Sequence, residues 1–349
     1  MKHTQGNQHP EAVIQIRDYR PGDEGGLSDL AEACFSELGP GGPDAWLREW
    51  RWKFTGCYTG EFAPSVAQLE DGRIVGHYGS MIRRFQVGRG YRKVGIPVDN
   101  MIAPEFRGGA IQRRLFEHQR DFSAPRLDVP FGLGTPSPDA YVVGQRLLKY
   151  KNLTWIKCFY ADLSPMRRLW RNRQWKRVPA RDDLDIRPVD HIDERFDELW
   201  ERLRRHYPCT EARTSAFLRW RYQEAPEHDY EILAAHGAEG IEGYIVLRPP
   251  LTKGEPARIV DLFAPPEPPI LSTLLRAAVR RSASQARGID FHVAANEIFY
   301  RTLVENGFFW TGNEIPVVFW QFTFSDTVHP RHFENPQRWY ITSGLTDLI

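Results

Sequence analysis

The chain has 349 residues, 41% of them hydrophobic and 26% charged, with a formal net charge of +1. That length exceeds one ordinary core and suits two domains, while no apolar run approaches membrane-spanning length and the polar N-terminus shows no signal-peptide core. The near-neutral charge exerts no global pull on polyanions, and the scattered Cys34, Cys57, Cys158 and Cys209 form neither a C-x-x-C pair nor a metal-ligand set. The expectation is a cytoplasmic protein with reduced thiols and no bound metal, monomeric or homodimeric, with neither nucleic-acid nor membrane partners.

In chain order, Trp46, Trp50 and Trp52 come first and read as core. A hairpin ending in Ile74-Val75-Gly76-His77-Tyr78 follows. The segment from Val98 to Leu115 is the most specific: Val98, Met101 and Ile102 make a strand-length apolar run that Pro104 ends. Gly108 and Gly109 then allow a tight turn, and Ile111, Leu115 and Phe116 share one helical face. A helix start on a glycine turn presents unpaired N–H groups and the positive end of the helix dipole, which together attract a pyrophosphate. Arg107, Arg113 and Arg114 add charge-assisted donors.

These residues resemble the coenzyme A loop of the GNAT acyltransferase superfamily, where a strand runs into R-x-x-G-x-G or R-x-x-G-x-A and a helix. Arg107 fits the first position; Ala110 and Gln112 stand where the loop glycines are usual. The resemblance implies acetyl-CoA or another acyl-CoA held by Arg107, Gly108, Gly109, Ala110, Ile111 and Gln112, with the pantetheine arm paired to main-chain groups of Met101, Ile102 and Ala103. W-x-W-K-F from Trp50, Asp99-Asn100-Met101 and Gly134-Thr135-Pro136-Ser137 resemble a subgroup of bacterial GNAT proteins.

Self-similarity extends the resemblance to nearly the whole chain. Trp50-Arg51-Trp52 recurs as Trp220-Arg221-Tyr222, and Ile74-Val75-Gly76 as Ile241-Glu242-Gly243. Val98-Asp99 with Ala103-Pro104 recurs as Val260-Asp261 with Ala264-Pro265, and Ser137-x-x-x-Tyr141 as Asn296-x-x-x-Tyr300. In the second copy Asn296 suits a helix cap and Gly307 the left-handed stop, as in the last GNAT motif. Its loop is replaced by Pro265-Pro266-Glu267-Pro268-Pro269, which lacks the amides a phosphate needs.

The fold class expected is therefore α/β, with two tandem GNAT-like domains, each a mixed, mostly antiparallel twisted sheet flanked by helices. Residues 11–165 form the first, with the acyl-CoA site, and 184–325 the second, with a degenerate loop. Residues 166–183 form a basic linker and 326–349 a C-terminal tail whose Trp339-Tyr340-Ile341-Thr342 matches no motif. In the linker, Trp170 and Trp175 interleave the basic residues and are expected to pack on both domains.

The resemblance implies direct acyl transfer, with acetyl-CoA as donor and the amine of a small molecule, such as an amino sugar or amino acid, as acceptor. Asp99 would be the base or, because Asp261 repeats it, a structural carboxylate. Tyr141 would protonate the leaving thiolate, and Tyr150 is a second donor whose position also suits core. His77 and His118 are lesser base candidates, each more often structural. Alternatives are a non-catalytic acyl-CoA-binding or scaffold protein, O-acyl transfer or decarboxylation on the same platform, and tRNA-dependent ligation through the basic linker.

Overall fold

A computed structural model describes residues 13–35, 41–226, 228–322 and 331–345. The expected domain limits at 11 and 325 lie outside these residues. The first half runs β1 (Ile14–Asp18), α1 (Glu24–Cys34), α2 (Gly42–Lys53), β2 (Ser65–Leu69), β3 (Ile74–Val87) and β4 (Gly90–Ile102). It continues with α3 (Ala110–His118), α4 (Ala124–Arg126), β5 (Phe131–Gly134), α5 (Pro138–Val143) and β6 (Lys151–Asp162). The second half repeats the plan: β7 (Asp185–Pro188), α7 (Arg195–Leu203), β8 (Cys209–Glu211), α8 (Ser215–Leu218), β9 (Glu231–Gly237), β10 (Gly240–Arg248), β11 (Ala257–Phe263), α9 (Pro268–Ser282), β12 (Gly288–Ala294), α10 (Glu297–Glu305) and β13 (Phe309–Gln321). Between the halves lies α6 (Pro165–Trp175); after them come α11 (Arg331–Glu334) and β14 (Ile341–Thr342). The stretch expected as a linker is thus helical over most of its basic residues.

Instead of two separate sheets, the described strands form one mixed, mostly antiparallel sheet in the order β1-β2-β3-β4-β5-β13-β6-β12-β11-β10-β9-β7. The halves exchange their last strands. β13 pairs with β5 of the first half, β6 pairs with β12 of the second, and β6 and β13 pair with each other at the centre. The same pseudo-symmetry appears in the tryptophans: Trp52 Nε1 donates to the Trp220 carbonyl at 2.8 Å and Trp220 Nε1 to the Trp52 carbonyl at 3.0 Å. The symmetric partner of Trp220 is therefore Trp52, two residues from the alignment that sequence suggested. Trp50 is fully buried against Tyr19, Phe54 and His77 instead.

Candidate functional site

Two features of β4 open a cleft. It pairs in parallel with β5 only at Val94 and Gly95, so the two strands diverge beyond that point. Farther along, the β3–β4 register slips between His77 and Gly79, and Asp99, at φ +52°, takes the left-handed conformation at the slip. A bulge of this kind bends a strand and turns a side chain out of the ladder. The bulge is held from below: His77 Nδ1 bonds the Asp99 carbonyl at 2.7 Å, and Trp50 Nε1 lies 3.5 Å from His77 Nε2. The ring is therefore the neutral Nδ1–H tautomer, and burial pushes its pKa down to about 4. Gly79 is required opposite the bulge, because a Cβ there would lie 2.5 Å from the Val98 carbonyl oxygen and 2.4 Å from Phe54.

The cleft holds a cavity lined by Ile96–Asn100 of β4, by Gly134 at the end of β5 and Thr135, Pro136, Ser137, Ala140 and Tyr150 after it, and by Phe35 at the end of α1. The exchange brings in the rest of its wall: Val318 and Trp320 come from β13 and Leu345 from the tail. Trp320 lies flat on Gly132, where a Cβ would fall 2.2 Å from its ring, and stacks on Tyr150 at 4.7 Å. Its indole N–H is buried with no hydrogen-bond partner among the described residues. These second-half walls carry no motif, and sequence reasoning did not find them.

Asp99 lines the cavity, as a base would have to, but its carboxylate is also ion-paired. Lys53 Nζ lies 3.2 Å and 3.3 Å from its two oxygens and 3.0 Å from Glu49. Tyr141 does not line the cavity. Its phenol donates to Asn152 Oδ1 at 2.9 Å on the flank of α5, whereas Tyr150 reaches the wall. Burial raises the Tyr150 phenol well above the ordinary tyrosine range, so it is protonated at neutral pH. A wide helical turn over Gly144–Leu148 and a left-handed Lys149 (φ +58°) deliver Tyr150 there; its ring sits on Gly144. His77 is fully buried beneath the bulge, and His118 Nε2 sits 2.9 Å from Asp18.

The predicted phosphate loop has the expected backbone. Gly108 (φ +135°) and Gly109 (φ +92°) both take positive φ values that L residues rarely adopt, and Gly109 caps α3, whose buried face is Ile111, Leu115 and Phe116. Ala110, Ile111 and Gln112 form the first turn, whose amides have no intrahelical acceptors. Arg107 and Arg113 are exposed beside it, while Arg114 is drawn away to the Ile14 carbonyl at 2.7 Å. Of the residues expected to pair with pantetheine, Met101 and Ile102 lie opposite His77 and Gly76 of β3. The Ala103 amide is spent on the Val75 carbonyl, and Met101 is buried opposite His77. Arg107 Nε and the Cys34 thiol both donate to the Ile102 carbonyl at 3.3 Å. A diverging strand pair, a glycine-capped helix start and a spare buried donor suit a thin arm ending in phosphates, and so fit an acyl-CoA.

The corresponding cleft of the second half is filled. β11 and β12 pair in parallel only over Ala257–Ile259 and Ile289–Phe291, and β14 of the tail then pairs with β12 in the opening. Tyr340 donates to the Leu262 carbonyl, and Thr342 Oγ1 donates to Asp261 at 2.9 Å. Asp261 also accepts from Arg213 and Tyr244 and is 1% exposed, so it is a structural carboxylate. The tail continues into the half-to-half contact: Arg83, buried against Glu211, donates to the carbonyls of Gly344 and Leu345. Asn296 and Ser137 both cap their helices by accepting from Phe299 and Ala140 amides, as the repeat implied.

This architecture is that of the GCN5-related N-acetyltransferase fold carried twice. Among solved structures it is similar to a GCN5-related N-acetyltransferase from Anabaena variabilis, at TM-score 0.65 and 14% identity over 88% of this chain and 72% of that one. It is likewise similar to a probable N-acyltransferase from Enterococcus faecalis, at TM-score 0.62 and 13% identity over 88% and 72%. A tandem GNAT protein from the clavulanic acid biosynthesis pathway matches at TM-score 0.56 and 16% identity, over 90% of this chain and all of that one. No protein-family model and no curated protein matches the sequence.

Proposed function

We propose that the first half is an acyl-CoA-dependent N-acyltransferase site, with an acetyl donor and the amine of a small molecule as acceptor. One observation carries the reading: β4, which walls the β4–β5 cleft and is bulged at Asp99, runs on along the chain into the Arg107-Gly108-Gly109 turn and the start of α3. Acyl-CoA supplies an activated thioester. The chain's own part is to hold it and to move protons. The amides of the first turn of α3 and the Arg107 guanidinium receive the phosphates, with Arg107 leaving the Ile102 carbonyl to the pantetheine. Asp99, ion-paired with Lys53, accepts the amine proton directly or through one water. Tyr150, protonated at neutral pH, gives a proton to the sulfur as the C–S bond breaks. In this assignment Tyr150 replaces Tyr141.

The Lys53 pairing of Asp99, together with Ala110 and Gln112 in the loop, favours the runner-up, a protein that binds acyl-CoA without transfer. Calorimetry with acetyl-CoA and coenzyme A separates the cases. One molecule per chain is expected, because the tail fills the second cleft, and Arg107→Glu should weaken binding by about tenfold or more, since it sets like charge against the phosphates. Absence of binding at millimolar ligand would sink both readings. Binding without thiol release across a broad amine panel would leave the runner-up standing.

A further inference from the structure

The helix joining the two halves is polar inward and apolar outward. Arg171 of α6 is buried and donates to the Asp162 carbonyl at 2.7 Å; Gln174 donates to the Val304 carbonyl at 3.2 Å and Trp175 Nε1 to the Asn306 carbonyl at 3.2 Å. The Arg171, Arg276 and Arg280 guanidiniums surround the Trp175 ring at 5.4 to 5.6 Å. These contacts fix the rotation of the helix. They leave Met166, Leu169 and Trp170, spaced i, i+3 and i+4, on its outer stripe, 84%, 72% and 53% exposed. Single exposed apolar residues are ordinary, but three on one stripe of a docked helix are not. Trp170 therefore does not pack on either half as its sequence context suggested.

The charge carried by the helix segment itself has one sign, with Glu305 and Asp182 as its acidic neighbours. Arg167, Arg173, Lys176 and Arg177 are exposed, and no acidic residue occurs from Met166 to Arg181. Asp162, before the helix, is engaged by the Ser164 amide at 2.8 Å. Val304, whose carbonyl receives Gln174, is 52% exposed, and Phe309, two residues past the Gly307 that packs on Arg171, is 53% exposed. The net charge of +1 conceals this face.

We propose that the outer face of α6 seats the protein on an anionic lipid surface. A basic helix with Met, Leu and Trp on its free side matches the two layers of such a surface, anionic headgroups above acyl chains. A nucleic acid would engage the cations and stack on Trp170 but leave Met166 and Leu169 without a role. No helix among the described residues is long and apolar enough to cross a membrane.

The test is sedimentation of the full chain with phosphatidylcholine vesicles, with and without phosphatidylglycerol. Binding is expected only to the anionic vesicles, weakened at high salt, with a blue shift of tryptophan emission. Leu169→Glu and Trp170→Glu should each cut partitioning by about tenfold or more, the worth of one buried apolar side chain, with an unchanged melting temperature because both sites are exposed. Absence of binding to anionic vesicles, equal binding to neutral ones, or full binding in the double variant would overturn the proposal. So would tRNA binding that competes with the vesicles and persists in Trp170→Glu, which would mark a polyanion site.

Discussion

Asp99 is a residue held in an uncommon conformation by its neighbours. A non-glycine residue at φ +52° costs roughly 1–3 kcal/mol and persists only where its surroundings impose it. Here the His77 imidazole grips the carbonyl and Lys53 the carboxylate. This support is pH-dependent. The buried ring titrates at about 4 against about 6.5 when unfolded, so the unfolded chain binds the extra proton between those values. Its contribution to stability is complete above about pH 6.5, declines as pH falls, and levels off below about pH 4, a loss of about 3 kcal/mol. Urea unfolding at pH 7 and pH 5 should show that loss developing, and His77→Asn should flatten the pH dependence across the window. An unchanged slope in the variant would refute the assignment. The bulge itself was only faintly legible: Asp99-Asn100 are residue types that tolerate the left-handed region, but nothing local announces a register slip made by pairing with β3.

At the scale of elements, sequence revealed what is local and missed what is assembled. The strand, glycine turn and helix from Val98 to Leu115 form as read, because apolar spacing, Pro104 and paired glycines each act within a few residues. The placement of Tyr141 and Tyr150 could not be read the same way. It depends on the wide turn over Gly144–Leu148, which rotates the end of the helix and carries Tyr150 into the cleft. Tyr150→Phe should therefore lower kcat about a hundredfold with coenzyme A affinity unchanged, the usual scale for losing a positioned acid. Tyr141→Phe should leave kcat within about twofold and cost about 1 kcal/mol, for one hydrogen bond to Asn152. The reverse pattern would restore Tyr141 to the chemistry. The tail is the opposite case: Trp339 to Thr342 has no motif because its role, filling a cleft built by β11 and β12, exists only in the folded molecule.

For the whole molecule, the two-copy plan was visible as repeated landmarks in one order, whereas the exchange of β6 and β13 was not. Strand pairing across the halves is decided by which edges are free after folding, and the repeat is equally compatible with either partner. The exchange predicts that residues 1–165 expressed alone lack the strand that β5 and β6 pair with and show no cooperative unfolding transition. Co-expression with residues 166–349 should restore one. A soluble, cooperatively folding first half would contradict the arrangement. Both halves also share the proposed site, since Val318, Trp320 and Leu345 wall a cleft whose loop belongs to the other half.

The central position of β13 also sets a schedule for synthesis. The strand that closes the first half's sheet spans Phe309–Gln321, so on the ribosome the edge of β5 opposite β4 waits, unpaired, until residues far along the chain have emerged. Translation speed and chaperone protection of that nascent edge would govern yield more than the stability of either half. Once complete, a protease cut within α6 should nick the chain without parting the pieces, because each would hold the other's last strand.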